Sequence, residues 1–229
     1  MMESPLLSPP IFHLGPLAVT AQVATTWGLM AALGVLSWLA TRRLSTHAPS
    51  RLQAALEFLV ATLDAQIRDT VGRDPARYRA LIGMLLVFIL AANWSSLIPG
   101  VEPPTAHLET TAALAALVFV ATTFHGVRAQ GPLGYLKSFT EPAWILAPLN
   151  LIEQLTRAFS LMVRLFGNVM SGVFVIGILL SLAGLLVPIP LMALDLLTGA
   201  VQAYIFATLA CVFIASAVNG EGGPKGDRP

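Results

Sequence analysis

The run Ser160-Leu-Met-Val-Arg164-Leu-Phe-Gly-Asn168 places an arginine and an asparagine one helical turn apart inside a long, mostly apolar stretch. Between Trp144 and Leu186 the ionisable side chains are Glu153, Arg157 and Arg164 alone. At 3.6 residues per turn, Asn150, Glu153, Arg157, Ser160, Arg164, Asn168 and Ser171 fall on one stripe. The segment predicts a helix with a polar face in an apolar body. An ionised guanidinium at membrane depth costs about 3 kcal/mol on insertion scales and roughly 10 or more in simulations, so it is rare unless it faces a partner or a watery cavity. Arg164 is therefore the first candidate for function.

Composition extends this reading to the whole chain. Of its 229 residues, 56% are hydrophobic and 11% charged, against roughly 25% charged in soluble domains. An integral membrane protein with an all-α fold follows, and several spans with short loops leave no room for a separate soluble catalytic domain. The net charge of +1 points to no nucleic-acid partner. The single cysteine, Cys211, lies in an apolar segment and reads as a small core residue.

Five membrane-embedded helices and one interfacial helix are expected. Residues 1–18, rich in proline, should form an extended surface segment, and Met1 to Pro16 lacks the positive charge of a cleavable leader, so the first helix should be retained. A membrane domain over 19–218 begins with a span from Val19 to Ala40. In Arg51 to Val71, apolar Leu52, Ala55, Leu56, Leu59, Leu63, Ile67 and Val71 recur every three or four residues. That pattern describes an amphipathic helix along the interface or a partner's rim, its charges on a solvated face. Spans follow at Ala80 to Ile98 and Leu108 to Phe124, then a loop over Gly126 to Pro142 with room for a short helix. The striped helix, about Trp144 to Leu182, and a last helix, Leu191 to Val218, form a long tilted hairpin across a tight return at Gly184 to Pro190. The tail over 219–229 should be disordered.

No metalloprotease, phosphate-loop or nucleophile-elbow motif and no metal-spaced Cys or His pair occurs in the sequence. Neither an enzyme nor a cofactor is expected. What remains is a line of charged and amide groups at membrane depth, the mark of an ion path. In the last helix Asp195, Thr198 and Gln202 share a face, beside a small-residue strip of Gly199, Ala203, Ala207 and Ala210 suited to close packing. Asp195 and Gln202 fit either a channel or a hydrogen bond that ties the hairpin together. Arg157 has Glu153 four residues before it and reads equally as paired or functional, whereas Arg164 has no carboxylate at that spacing. Asn93, with Trp94-Ser-Ser96, is an interfacial anchor or a vestibule lining, and Glu109 is a channel carboxylate or an interfacial charge. His107 and His125 read as interface or packing residues.

Lys and Arg set the expected orientation. With the N-terminus outside, the inward segments carry eleven positive residues and the outward ones none, apart from the intramembrane Arg157 and Arg164. The C-terminus then faces the cytoplasm.

Arg164-Leu-Phe-Gly-Asn168, preceded by Pro148 and followed by a last apolar helix with Gln202-Ala-Tyr-Ile-Phe206, resembles subunit a of F-type ATP synthases. The hydropathy layout matches over most of the chain, and the specific part covers about 148–218. The resemblance implies a stator subunit of the F0 sector in a bacterial inner membrane, carrying two ion half-channels beside a ring of c subunits. It also implies a b-subunit peripheral stalk, an indirect link to the F1 sector, and a ring carboxylate as the partner of Arg164. Ion translocation would then involve Arg164, Asn168, Gln202, Asp195, Glu109, Arg157, Glu153, Ser160 and Asn93.

The chain departs from the common family pattern at three places. The position nine after the arginine, often acidic, is Val173; the position seven before the glutamine, often histidine, is Asp195; Ala158 stands where many members have proline. The resemblance then implies a carboxylate moved to the other hairpin helix, and the pattern looks like a divergent branch such as the N-type ATPases. A stand-alone secondary transporter is the competing reading, but no internal repeat divides the five spans into halves. A purely structural membrane subunit leaves the cost of Arg164 unexplained.

Overall fold

A computed structural model describes residues 10–14, 17–42, 51–98, 102–138, 147–184 and 187–219. The chain runs through β1 (Pro10–Leu14), β2 (Leu17–Thr20), α1 (Ala21–Thr41), α2 (Arg51–Val71), α3 (Ala76–Trp94), α4 (Leu108–Gln130), α5 (Pro132–Ser138), α6 (Ala147–Ala183) and α7 (Ile189–Asn219). Short 3-10 turns, Ser95–Leu97 and Pro104–Ala106, join α3 to α4. Among the described residues five helices are long and apolar enough to cross a membrane, within α1, α3, α4, α6 and α7. The fold is the expected all-α membrane architecture.

α7 is the hub. It packs against α2, α3, α4 and α6, and Ala203, Phe206, Ala207, Ala210, Cys211 and Ile214 are almost wholly buried. Lipid tails are as apolar as leucine, so helices in a membrane associate through close packing rather than through escape from water. The small-residue strip supplies that closeness: at Gly199 an added Cβ would lie 3.1 Å from Cβ of Asn93 on α3. Cys211 is a buried free thiol in this core, as its apolar setting implies.

α6 attaches differently. Among its described residues only Leu161, Leu165 and Val169, spaced four apart, are buried, and this single seam leaves most of the helix uncovered by the other described residues. At 37 and 31 residues, α6 and α7 are about 55 and 46 Å long at 1.5 Å per residue, against roughly 30 Å of hydrocarbon. Because α6 is uninterrupted, tilt or extension past the hydrocarbon must take up its excess.

Several expectations need adjustment. In the N-terminal segment the described residues are extended but paired, β1 lying antiparallel to β2 with Leu14 opposite Leu17, while residues 1–9 lie outside the described residues. The C-terminal half of α2 enters the bundle rather than lying only on an interface: Leu63, Ile67 and Val71 are buried, and Gln66 Nε2 donates to Thr208 Oγ1 of α7 at 2.9 Å. Nor are its charges all solvated, since Asp64 pairs with Arg79 of α3. The third span continues past Phe124 to Gln130, because nothing breaks the helix before Gly131-Pro132. Asn219, assigned to the tail by composition, ends α7 and donates Nδ2 to the Val71 carbonyl at 3.1 Å. The turn at Ser45 to Ser50, the start of the striped helix at Trp144 and the tail beyond Asn219 lie outside the described residues.

Candidate ion-translocation site

Because the polar stripe of α6 lies largely off the buried seam, the fold presents Arg164 outward. Its side chain is exposed and makes no hydrogen bond or ion pair among the described residues. It borders an open groove of about 460 Å³ with Ser160, Thr156, Leu209 and Phe213. Arg157, two helical turns earlier, is satisfied within the chain. Its guanidinium pairs with Glu153, its Nη1 reaches Ser216 Oγ on α7 at 3.5 Å, and it stands 5.7 Å over the Phe213 ring. The two intramembrane arginines are therefore distinct, one neutralised locally and one not.

A second cluster forms where α3 ends and α7 begins. Asn93 is buried and bridges two elements: its Nδ2 donates to the Gly199 carbonyl at 2.9 Å, and its Oδ1 accepts from Thr105 Oγ1 at 2.8 Å. Trp94 Nε1 donates to the Leu196 carbonyl at 3.2 Å. Asn93 thus works first as a structural clamp, since losing either bond would strand a buried polar group at a cost of roughly 1–3 kcal/mol. Next to it Ser96 Oγ donates to Asp195 Oδ2 at 3.3 Å. The Asp195 carboxylate rests directly on α6 at Gly172, where an added Cβ would stand 2.1 Å from Oδ1 and 2.8 Å from Cγ. Only a residue without Cβ admits the carboxylate there.

Between these clusters lie two amides, Asn168 on α6 and Gln202 on α7. Each has a buried amide nitrogen with no hydrogen-bond partner among the described residues. Glu109 is exposed in the first turn of α4 and is not joined to Asp195 by any bond. His125 stacks on Tyr78 with centroids 5.0 Å apart, and buried His107 lies 3.3 Å from Glu102, so both histidines pack rather than line the groove. Thr105 and Gly172 escaped the sequence reading: a threonine in a Pro-rich loop and a glycine in an apolar helix carry no signal until the register of α6 and α7 is known.

Along α6, Arg164 is seven residues from Arg157 and eight from Gly172, about 10 and 12 Å at helical rise. A lone cation thus stands midway between two polar clusters at opposite ends of the hairpin. The family model described as ATP synthase A chain matches residues 23–215, which include every residue of this arrangement except Ser216. The chain belongs to the ATP synthase A chain family. It is 52% identical to ATP synthase subunit a 2 of Bradyrhizobium sp., over 96% of this chain and 98% of that one. It is 50% identical to ATP synthase subunit a of Albidiferax ferrireducens over 90% of each chain. It is 46% identical to ATP synthase subunit a 1 of Chlorobaculum parvum, over 91% of this chain and 93% of that one. As a subunit a family member with five apolar helices, the chain is a multi-pass F0 membrane subunit of an ATP synthase, the stator part rather than the catalytic one.

Proposed function

We propose that this chain couples the passage of a proton or sodium ion to rotation of a ring of c subunits, with Arg164 as the fixed charge between two half-channels. The observation that carries the reading is the uncovered, unpaired Arg164 set midway between the Asp195 and Arg157 ends of the hairpin. A guanidinium keeps its proton at any cellular pH, so it cannot relay protons and acts as a permanent positive charge. A ring carboxylate that arrives beside it is favoured in its ionised form and gives up its ion to one half-channel. Once past the arginine it reloads from the other. Arg164 also blocks a direct leak between the two, and each 100 mV across the membrane supplies about 2.3 kcal/mol per charge moved.

The half-channel at the Asp195 end opens to the outer side, and Asp195, Gln202, Asn93 and Glu109 belong to it. Val173 adjoins Gly172, where the Asp195 carboxylate lies, so a carboxylate borne by α7 is brought against the same turn of α6 that carries position 173. That proximity supports the exchange of the acidic residue between helices. Asn168 and Ser160 flank the arginine on its own stripe, and their polar groups serve the ion or its water on either side.

Orientation is testable separately. Reporter fusions at Gly100 and Gly222 should report opposite sides of the membrane, Gly100 outside. A cytoplasmic Gly100 would reverse the assignment of the two ends. The coupling reading is tested by reconstitution. The purified chain alone in vesicles should carry no ion under an imposed potential, and flux should arise when the c ring and b subunits are present. Solute or ion transport by the chain alone would favour a self-contained transporter.

A further inference from the structure

Where α3 begins and α4 ends, side chains of the two helices meet. The Tyr78 and His125 rings lie with centroids 5.0 Å apart, and Phe124 meets the same imidazole edge-on at 5.5 Å. Arg77 and Arg128 flank this aromatic contact, one from each helix, and theirs are the charges that act on the His125 ring. Both arginines are exposed, and neither makes a hydrogen bond or ion pair with a carboxylate among the described residues.

The polar groups around them are engaged elsewhere. Asp74 accepts from the Ala76 amide at 3.1 Å, Asp64 pairs with Arg79, and Arg73 donates Nη2 to the Val218 carbonyl at 3.4 Å. Arg128, in the last turn of α4, complements that helix's dipole, but Arg77, in the first turn of α3, opposes its own. Two like charges brought against one ring, one of them at an unfavourable helix end, call for an anion.

The surroundings select the kind of anion. Both arginines stand at the ends of apolar spans, Ala76–Leu97 and Leu108–Gln130, the level at which helices meet lipid headgroups. Met84 lies seven residues beyond Arg77 and Leu117 eleven before Arg128, so each shares the face of its arginine. Both are exposed, as is Phe124, four before Arg128. Each arginine thus tops an uncovered apolar stripe that runs into the membrane. A small soluble anion would meet the charges and leave the stripes unfilled, whereas a lipid phosphate carries acyl chains that lie along them.

We infer that Arg77 and Arg128 form a binding site for the phosphodiester of an anionic phospholipid, seated across the ends of α3 and α4 with its chains along Met84 and Phe124. Guanidinium forks match phosphate oxygens bidentately, and basic sites between spanning helices suit such headgroups. The inference does not depend on the half-channel reading.

The test uses the purified, assembled complex in phosphatidylcholine vesicles with a trace of photoactivatable phosphatidylglycerol, subunit content being checked by blotting. Labelling of peptides covering residues 77–84 and 117–128 should fall about five-fold in Arg77→Gln or Arg128→Gln and roughly thirty-fold in the double variant, the usual weight of one and two basic side chains near a membrane surface. Arg68→Gln, which removes a cation that does not act on His125, should leave labelling unchanged. Enriching the vesicles in unlabelled phosphatidylglycerol should displace the probe, whereas phosphatidylethanolamine at the same fraction and soluble glycerol phosphate should not. Equal displacement by phosphatidylethanolamine, or equal labelling of the double variant and Arg68→Gln, would reduce the contact to ordinary surrounding lipid and overturn the site. Displacement by glycerol phosphate would make the occupant a free anion and overturn the lipid assignment. If the double variant fails to assemble, the single variants and the competition on the parent complex decide the matter.

Discussion

Arg164→Ala should abolish ATP-driven ion pumping by vesicles that contain the assembled complex at normal subunit content. Arg164 is held by no ion pair or hydrogen bond among the described residues, and its side chain lies off the Leu161–Leu165–Val169 seam, so its removal breaks no polar bond there and the fold should survive. What disappears, in the coupling proposed above, is the fixed charge that favours the ionised ring carboxylate. The carboxylate can then cross the interface still loaded, and ions pass without obligatory rotation, so passive leak should persist while pumping is lost. Arg164→Lys should fail nearly as badly. It keeps the formal charge but loses the planar fork, and a lysine taken out of water gives up its proton far more readily than a guanidinium. Near-normal pumping by Arg164→Ala would refute the coupling role and move the essential charge to Arg157.

The second large effect is expected at Asp195 and the glycine that receives it. Asp195→Asn keeps the shape and leaves a partner for Ser96, but removes the ionisable group, so ion-driven ATP synthesis should drop severely while assembly is retained. Gly172→Ala should reproduce much of that loss without touching the carboxylate chemically. Its new Cβ would fall 2.1 Å from Oδ1 and 2.8 Å from Cγ, a separation no pair of non-bonded atoms tolerates, so the side chain must swing away from Ser96 or the helices must part. Synthesis rates and blotted subunit content separate the alternatives. Loss of assembly in Asp195→Asn would show that the carboxylate serves only to tie α3 to α7. Full activity in Gly172→Ala would show that its placement against α6 is immaterial.

Much of the architecture was legible because membranes permit few solutions. A spanning segment must satisfy its backbone internally, so apolar length alone located α1, α3, α4, α6 and α7 to within a few residues, and the stripe through Arg164 picked out the helix on which the proposed coupling rests. The boundaries of α4 and α7 were missed where composition misled: polar Arg128 and Asn219 resemble loop or tail residues but sit on helices whose ends are fixed by long-range bonds, Gln130 to the Ala217 carbonyl and Asn219 to that of Val71. The partners of Asp195 and Asn93 were not legible at all. Ser96, Thr105, Gly172 and Gly199 meet them only through tertiary register, which neither periodicity nor motif encodes. Glu153 and Arg157 lie between these extremes: their spacing suggested a pair, and Ser216 and Phe213 from α7 turned the pair into part of a wall.

The way α6 is mounted has a mechanical meaning. α7 is braced by neighbours on several sides, whereas α6 is fixed to the bundle along one line of three buried residues. A body sliding past its open face would push it sideways. Proline kinks helices by removing a backbone bond, but after Pro148 no proline interrupts α6, and Ala158 keeps the hydrogen-bond ladder whole. Lateral force on any one turn is therefore shared along the entire rod and delivered to its seam and to the hairpin return. In the coupling proposed above, the helix would serve as a stiff rail whose spacing from a moving ring is set by α7 behind it, so that Arg164 keeps its station while the surface opposite travels.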